Sequence, residues 1–136
     1  MTEFICHTLE DTRQSAIYFA QFARIGQCFA LHGDLGSGKT TFTGFLIKHL
    51  NKEIKNVSSP TFTIIQTYEY KDGEIWHADC YRLKSKEEFY ELGLQETFES
   101  CVTIIEWPEI IKEFLPNDTI HIFFENNSDH RRITSK

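Results

Sequence analysis

A three-layer α/β fold, whose mixed central sheet contains an antiparallel hairpin, follows from three observations on the sequence. Gly33-Asp34-Leu35-Gly36-Ser37-Gly38-Lys39-Thr40 fits the pattern G-x-x-x-x-G-K-[ST] of a phosphate-binding loop, or P-loop. The short apolar run Cys28-Phe29-Ala30-Leu31 precedes this loop, and Phe42, Phe45, Leu46, His49 and Leu50 follow it at i, i+3, i+4, i+7 and i+8. Buried strand, glycine loop and amphipathic helix in that order predict a P-loop NTPase-like arrangement with a parallel sheet. Residues 62–70 and 75–81 are aromatic and β-branched runs joined by Lys71-Asp72-Gly73-Glu74, which predicts a hairpin with Asp-Gly at its tip. A hairpin is antiparallel, so the sheet is mixed.

From the N-terminus, Phe4-Ile5-Cys6 reads as a short first strand, and Thr8 followed by Asp11 as a capping box that starts a helix. Thr12, Ala16, Phe19, Ala20 and Ala23 repeat at helical spacing, with Gly26 as the expected stop. Two readings stand for this helix: it docks on the sheet, or its N-terminus also lies near a bound base. Next comes the glycine loop. Side chains at Gly33, Gly36 and Gly38 would block the backbone from wrapping closely around an anion. The inward amides, including those of Ser37 and Lys39, then meet phosphate, with the positive end of the following helix beneath it. Lys39 can reach the β and γ phosphates, and the Thr40 hydroxyl is placed to ligate Mg²⁺.

Asn56-Val57-Ser58-Ser59-Pro60-Thr61 is a polar connection with a proline stop. In the second hairpin strand, alternation puts Trp76, Ala78 and Cys80 on one face and His77, Asp79 and Tyr81 on the other. A carboxylate inside such a strand is costly to bury without compensation. Asp79 therefore either pairs structurally with a base such as Arg82 or faces Mg²⁺, the attacking water or the phosphates. Residues 85–98 predict one or two short helices broken near Gly93, and 102–106 a largely apolar strand ending in Glu106. An acid at the end of such a strand, beside a P-loop, is placed to hold Mg²⁺ or its waters. Trp107 shields the site, presents a surface to a partner, or packs in the core. Pro108 suits the first turn of a helix over 109–114. Pro116-Asn117-Asp118 marks a turn, 119–125 the last strand, and 126–136 a polar tail in which Arg131 and Arg132 either touch a nucleotide or are solvated.

The 136 residues predict one domain, 1–136, with a real hydrophobic core. A net charge of −6 opposes direct gripping of nucleic acid, which Lys and Arg dominate; a local basic patch stays open, but the charge favours an RNA connection through a partner. Cys6, Cys28, Cys80 and Cys101 form no C-x-x-C pair and sit in or beside apolar stretches, as buried reduced thiols do. The sequence offers no signal peptide and no apolar run of about 18 residues, so a cytoplasmic protein without membrane contact is expected.

Together these motifs resemble the TsaE family, ATPases of the bacterial threonylcarbamoyladenosine tRNA-modification pathway. The resemblance rests on the loop through Thr41, Ser59-Pro60-Thr61-Phe62-Thr63, His77-Ala78-Asp79-Cys80-Tyr81-Arg82-Leu83, Glu91-Leu92-Gly93 and Glu106-Trp107-Pro108, in family order across nearly the whole chain. It implies a small cytoplasmic ATPase that takes ATP and Mg²⁺ and works with TsaB and TsaD. In this family TsaD transfers the threonylcarbamoyl group from its adenylate to tRNA, and the TsaE ATP cycle supports repeated turnover, so tRNA is met only through the complex. By likeness of motif, Lys39 and the loop from Gly33 to Thr41 hold the phosphates, and Thr40 with Glu106 holds Mg²⁺. Asp79 belongs with Lys39 and Glu106 in the hydrolytic site, and Thr61 lies in a switch-like loop that senses the γ-phosphate. Trp107 borders the site, and Arg131 lies near the base or phosphates. Ser37 stands where the family usually has Ala, and the C-terminal tail is shorter than in many relatives.

Other nucleotide enzymes fit less well. A guanine-specific enzyme needs Asn-Lys-x-Asp, and Asn51-Lys52-Glu53-Ile54 lacks the Asp. A small P-loop kinase normally carries an arginine-rich lid, and the arginines here are few and scattered. A nucleotide-regulated binding module with incidental hydrolysis uses the same contacts and remains the alternative from another class.

Overall fold

The apolar run before the glycine loop becomes the middle of the sheet. The computed structural model describes residues 1–60 and 64–136. In chain order its elements are β1 (Thr2–Cys6), α1 (Leu9–Ala20), β2 (Cys28–His32), α2 (Lys39–Leu50), β3 (Ile65–Tyr70) and β4 (Gly73–Asp79). They continue with α3 (Lys86–Leu92), α4 (Leu94–Ser100), β5 (Val102–Glu106), a 3₁₀ helix (Pro108–Phe114), β6 (Ile120–Asn126) and β7 (Arg131–Ser135). Among the described residues, seven strands form one sheet in the order β1-β7-β6-β2-β5-β4-β3. β2 runs parallel to both β5 and β6, and β4 parallel to β5, while β3, β7 and β1 pair antiparallel with their neighbours. The predicted mixed three-layer architecture is therefore present.

Two cores explain why β2 and β5 read as continuous apolar runs. Phe29 and Leu31 of β2 and Val102 and Ile104 of β5 face α1 and α2, where they join Phe19, Phe42 and Leu46. Cys28 and Ile105 point the other way, into a cluster with Phe89, Leu94, Phe98 and Ile111 from α3, α4 and the 3₁₀ helix. Each fully buried Phe or Leu of this kind contributes about 1.5–3 kcal/mol relative to solvent. All four cysteines are free and buried, and burial pushes the Cys28 and Cys80 thiols up to about 12.

Local chemistry sets most element ends. Thr8 accepts from the Asp11 amide at 3.1 Å while the Asp11 carboxylate accepts from the Thr8 amide at 3.2 Å, the reciprocal box expected at the start of α1. Gly93, at φ 75°, separates α3 from α4 in the left-handed conformation that a side chain resists.

Five expectations are corrected. α1 stops at Ala20, before Ala23, because Phe22 and Ala23 bond back only three residues; Gly26 instead forms the turn into β2, its amide bonded to the Cys101 carbonyl. His49 is exposed on α2, whose buried face carries Thr43 and Ile47 instead. Tyr70 pairs with Gly73, so the hairpin tip is Lys71-Asp72 and the glycine opens β4. The helical turn after Trp107 is 3₁₀ and begins at Pro108. Finally, β6 is not the last strand: residues 131–135 of the polar tail form β7 between β6 and β1. Backbone pairing on both edges stabilises β7 whatever its side chains, and its core-facing Ile133 is fully buried.

Candidate functional site

The parallel strands β2, β5 and β4 end on the same edge of the sheet, and the glycine loop leaves from β2, which lies between β6 and β5. The loop delivers the chain into α2, whose N-terminal cap is Gly38 at φ 100°, with no side chain capping the first turn and no acidic residue in it. An uncapped helix start with unpaired amides and a positive dipole end favours an anion. Gly33 is required by space as well as angle, since a Cβ there would lie 2.8 Å from the Phe124 carbonyl oxygen and 2.7 Å from Ser37 Oγ. At Gly38 the left-handed angle is the constraint, because a Cβ there would meet only the end of the flexible Arg131 side chain, which lies over the loop. Ser37 is buried, and its hydroxyl oxygen has no hydrogen-bond partner among the described residues. An orphaned hydroxyl in such a cradle fits a phosphate oxygen.

A cavity of about 310 Å³ opens over the loop. Gly36, Ser37, Gly38, Lys39, Thr40, Thr41, Asp79, Glu106, Trp107 and Arg131 line it, together with Asp34, Leu35 and Ser59. Gly33 stands behind the lining and offers its carbonyl to the Lys39 ammonium, which also donates to the Asp34 carbonyl at 3.1 Å. The Lys39 nitrogen lies 4.0 Å from the centre of the Trp107 ring. Burial lowers the Lys39 pKa, and the carboxylates of Glu106 and Asp79 act in the opposite direction. Trp107 itself is half-buried at φ 56°, a left-handed conformation that costs a bulky residue about 1–2 kcal/mol. Its ring packs 4.8 Å from that of exposed Tyr81, so it walls the cavity rather than filling the core.

Behind Lys39 sits a buried polar group that no apolar core accounts for. Thr40 Oγ1 donates to both Glu106 oxygens, at 3.2 and 3.3 Å, and His77 Nε2 lies 2.5 Å from Glu106 Oε2. Glu106 is 3% exposed and His77 fully buried. Asp79 stands opposite Glu106 in the β4–β5 register, and its Oδ1 accepts the Tyr81 amide at 2.9 Å. The hydroxyl and carboxylate oxygens of Thr40 and Glu106 are hard donors of the kind Mg²⁺ prefers. Among the described residues no group of three His, Cys, Asp or Glu is arranged to hold a metal. Such a sparse protein donor set fits a Mg²⁺ held largely by phosphate and water oxygens.

On the other side of the cavity, Arg131 Nε donates to Asn126 Oδ1 at 3.2 Å, and Asn126 Nδ2 donates to the Gly36 carbonyl at 2.8 Å. The tail thus grips the loop. A second cavity shares Arg131 and runs to the N-terminus of α1, lined by His7, Thr8, Thr12, Asn127 and His130. Of the site residues expected from sequence, Thr61 lies outside the described residues, and the others gather at the first cavity. His77 and Asn126 were missed. Alternation puts His77 on the face of Asp79, and it opens one of the motifs on which the resemblance rests, but neither signal gives it a partner or a role. Asn126 is visible only once β7 is known.

The model of the family "Threonylcarbamoyl adenosine biosynthesis protein TsaE" matches residues 6–134. The Rickettsia bellii tRNA threonylcarbamoyladenosine biosynthesis protein TsaE is 41% identical over 132 residues, covering 97% of this chain and 92% of that protein. Its Bacillus subtilis counterpart is 41% identical over 129 residues, covering 92% and 78% respectively. The crystal structure of Bacillus subtilis YdiB superposes with a TM-score of 0.78 at 34% identity, covering 98% of this chain and 83% of that one. No helix among the described residues is long and apolar enough to cross a membrane. With a family model spanning nearly its whole length and relatives at about two-fifths identity, this chain belongs to the TsaE family of tRNA threonylcarbamoyladenosine biosynthesis proteins.

Proposed function

We propose that this chain binds Mg²⁺-ATP in the cavity over the glycine loop and hydrolyses it as the ATPase of the tRNA threonylcarbamoyladenosine machinery, in the cytoplasm, acting with TsaB and TsaD. The observation that carries the reading is the Thr40–Glu106 contact beneath an uncapped helix start. A hydroxyl and a carboxylate meet there close to the Lys39 ammonium. Thr40 and Glu106 would hold Mg²⁺ from the protein side, and the ion would supply neutralisation of phosphate charge.

In this reading the loop amides and the Ser37 hydroxyl receive the phosphates. Lys39 exchanges the Gly33 and Asp34 carbonyls for phosphate oxygens, a stronger charge-assisted contact. Asp79 orients the water that attacks the γ-phosphorus and accepts its proton as the bond to the β–γ bridging oxygen breaks, giving ADP and phosphate. Trp107 and Arg131 close the two ends of the cleft, and the second cavity beyond Arg131 takes the nucleoside. The cavity is open, so a protein partner that excludes water would raise the rate.

The test is Mg²⁺-dependent ATP hydrolysis by the chain alone and after adding purified TsaB and TsaD, with Glu106→Ala as control. Stimulation by the partners that requires Glu106 is expected. Lys39→Ala should weaken ATP binding by about 10- to 100-fold, the value of one charge-assisted hydrogen bond. Hydrolysis indifferent to both proteins would sink the partnership, and unchanged ATP affinity in Lys39→Ala would sink the loop assignment.

A further inference from the structure

His77 is the one fully buried imidazole on the core face of β4, in line with Ile75 and beside Ile104 of β5, among the described residues. An isoleucine or leucine there would pack without giving up hydration, whereas a buried imidazole must recover it through hydrogen bonds. Among the described residues His77 recovers only part: Nδ1 has no hydrogen-bond partner there, and Nε2 has Glu106 Oε2 at 2.5 Å. The histidine is therefore poorly explained as packing and well explained by what it does to the carboxylate. Glu106 sits at the end of a strand whose other four residues are fully or nearly fully shielded, and it needs a donor to fix its rotation.

The donors divide unequally. Thr40 Oγ1 spans both oxygens at nearly equal distance, while Nε2 of His77 takes Oε2 alone. The Thr40 hydroxyl has one proton and can turn towards another acceptor. His77, held on a central strand, cannot. We propose that His77 is the positioning residue of this site: it anchors Glu106 through Oε2 and leaves Oε1 facing Thr40 as the oxygen available to a cation. This inference rests on the proposed Mg²⁺-nucleotide reading, and it assigns His77 no contact with nucleotide or metal.

The test measures affinity for N-methylanthraniloyl-ADP by fluorescence, in Mg²⁺ and in EDTA, with thermal melting of each variant. The wild-type chain should bind more tightly in Mg²⁺. In His77→Leu that gain should shrink by about tenfold or more, the usual consequence of removing a group that orients a metal ligand, with affinity in EDTA kept within about twofold. His77→Gln, whose amide nitrogen can stand near the Nε2 position, should restore much of the gain. His77→Asn, too short to reach Glu106, should not. Equal losses in Mg²⁺ and EDTA, or a change in melting alone, would mean that His77 is structural and would overturn the inference. If His77→Leu does not fold, the contrast between Gln and Asn decides, and equal behaviour of those two overturns it. A wild-type chain with the same affinity in Mg²⁺ and EDTA would instead remove the underlying magnesium reading.

Discussion

β2 and β7 flank β6 in one sheet, and they are held there by different forces. β2 is covered by helices on both faces, and four of its five residues are buried and apolar. β7 reads Arg-Arg-Ile-Thr-Ser, has one aliphatic residue, and is bonded on both edges, to β1 and β6. Its outer face carries Arg132, which joins Glu3 of β1 and Glu125 of β6 across the strands. A strand packed on two sides must announce itself in its side chains. A strand paired on two sides need not, because its ladder is made of backbone groups that every residue carries.

The comparison can be broken by experiment. If pairing makes β7 as integral as β2, Ile133→Ala should cost about 2–5 kcal/mol in urea denaturation, the range expected for Leu31→Ala. A cost below about 1 kcal/mol would make β7 an appendage. The next largest effect separates position from stability. Arg131→Ala on β7 should leave denaturation nearly unchanged yet weaken ATP binding by about tenfold, one hydrogen bond to a charged group, as measured by calorimetry. Unaltered affinity would detach the strand from the site and leave Arg131 a surface residue.

The smallest effect concerns pH. His32 at the end of β2 bonds His121 of β6 at 2.9 Å, an arrangement that needs one ring nitrogen unprotonated. Burial lowers the pKa of both rings below the usual 6.5, and for His32 the neighbouring His121 adds to the effect. The unfolded chain then binds more protons than the folded one between the depressed values and 6.5, so stability is complete above that pH and declines as pH falls below it. His121→Gln should flatten this decline in a series of melting curves. On the β7 side, Arg132 stays charged throughout the range, so Arg132→Gln should leave the shape of the curve unaltered.

The same contrast explains what the sequence revealed. The glycine loop, β2, α2, the box at Thr8 and the break at Gly93 each depend on a residue type that few others can replace, so local chemistry exposes them. The end of α1 depends on no such residue, and Gly26 misled because a left-handed glycine serves a turn as well as a helix stop. At the site, Lys39, Thr40, Asp79 and Glu106 were legible because charged or hydroxyl groups beside apolar strands demand a reason. His77 and Asn126 were not, since their meaning lies in partners 29 and 90 residues away. Sequence spacing carries no record of such distances; only the register of β4 on β5 and the return of β7 supply it.

Of the two tryptophans, Trp76 packs against the cluster on the α3 side, and Trp107 faces the Lys39 ammonium. Indole emission responds to a charge held against the ring, so the two residues form a reporter and an internal reference within one short chain. Any event that draws Lys39 away from Trp107 alters one half of the signal and leaves the other in place. The loop therefore carries its own optical label, and its occupancy can be followed in time without attaching a dye.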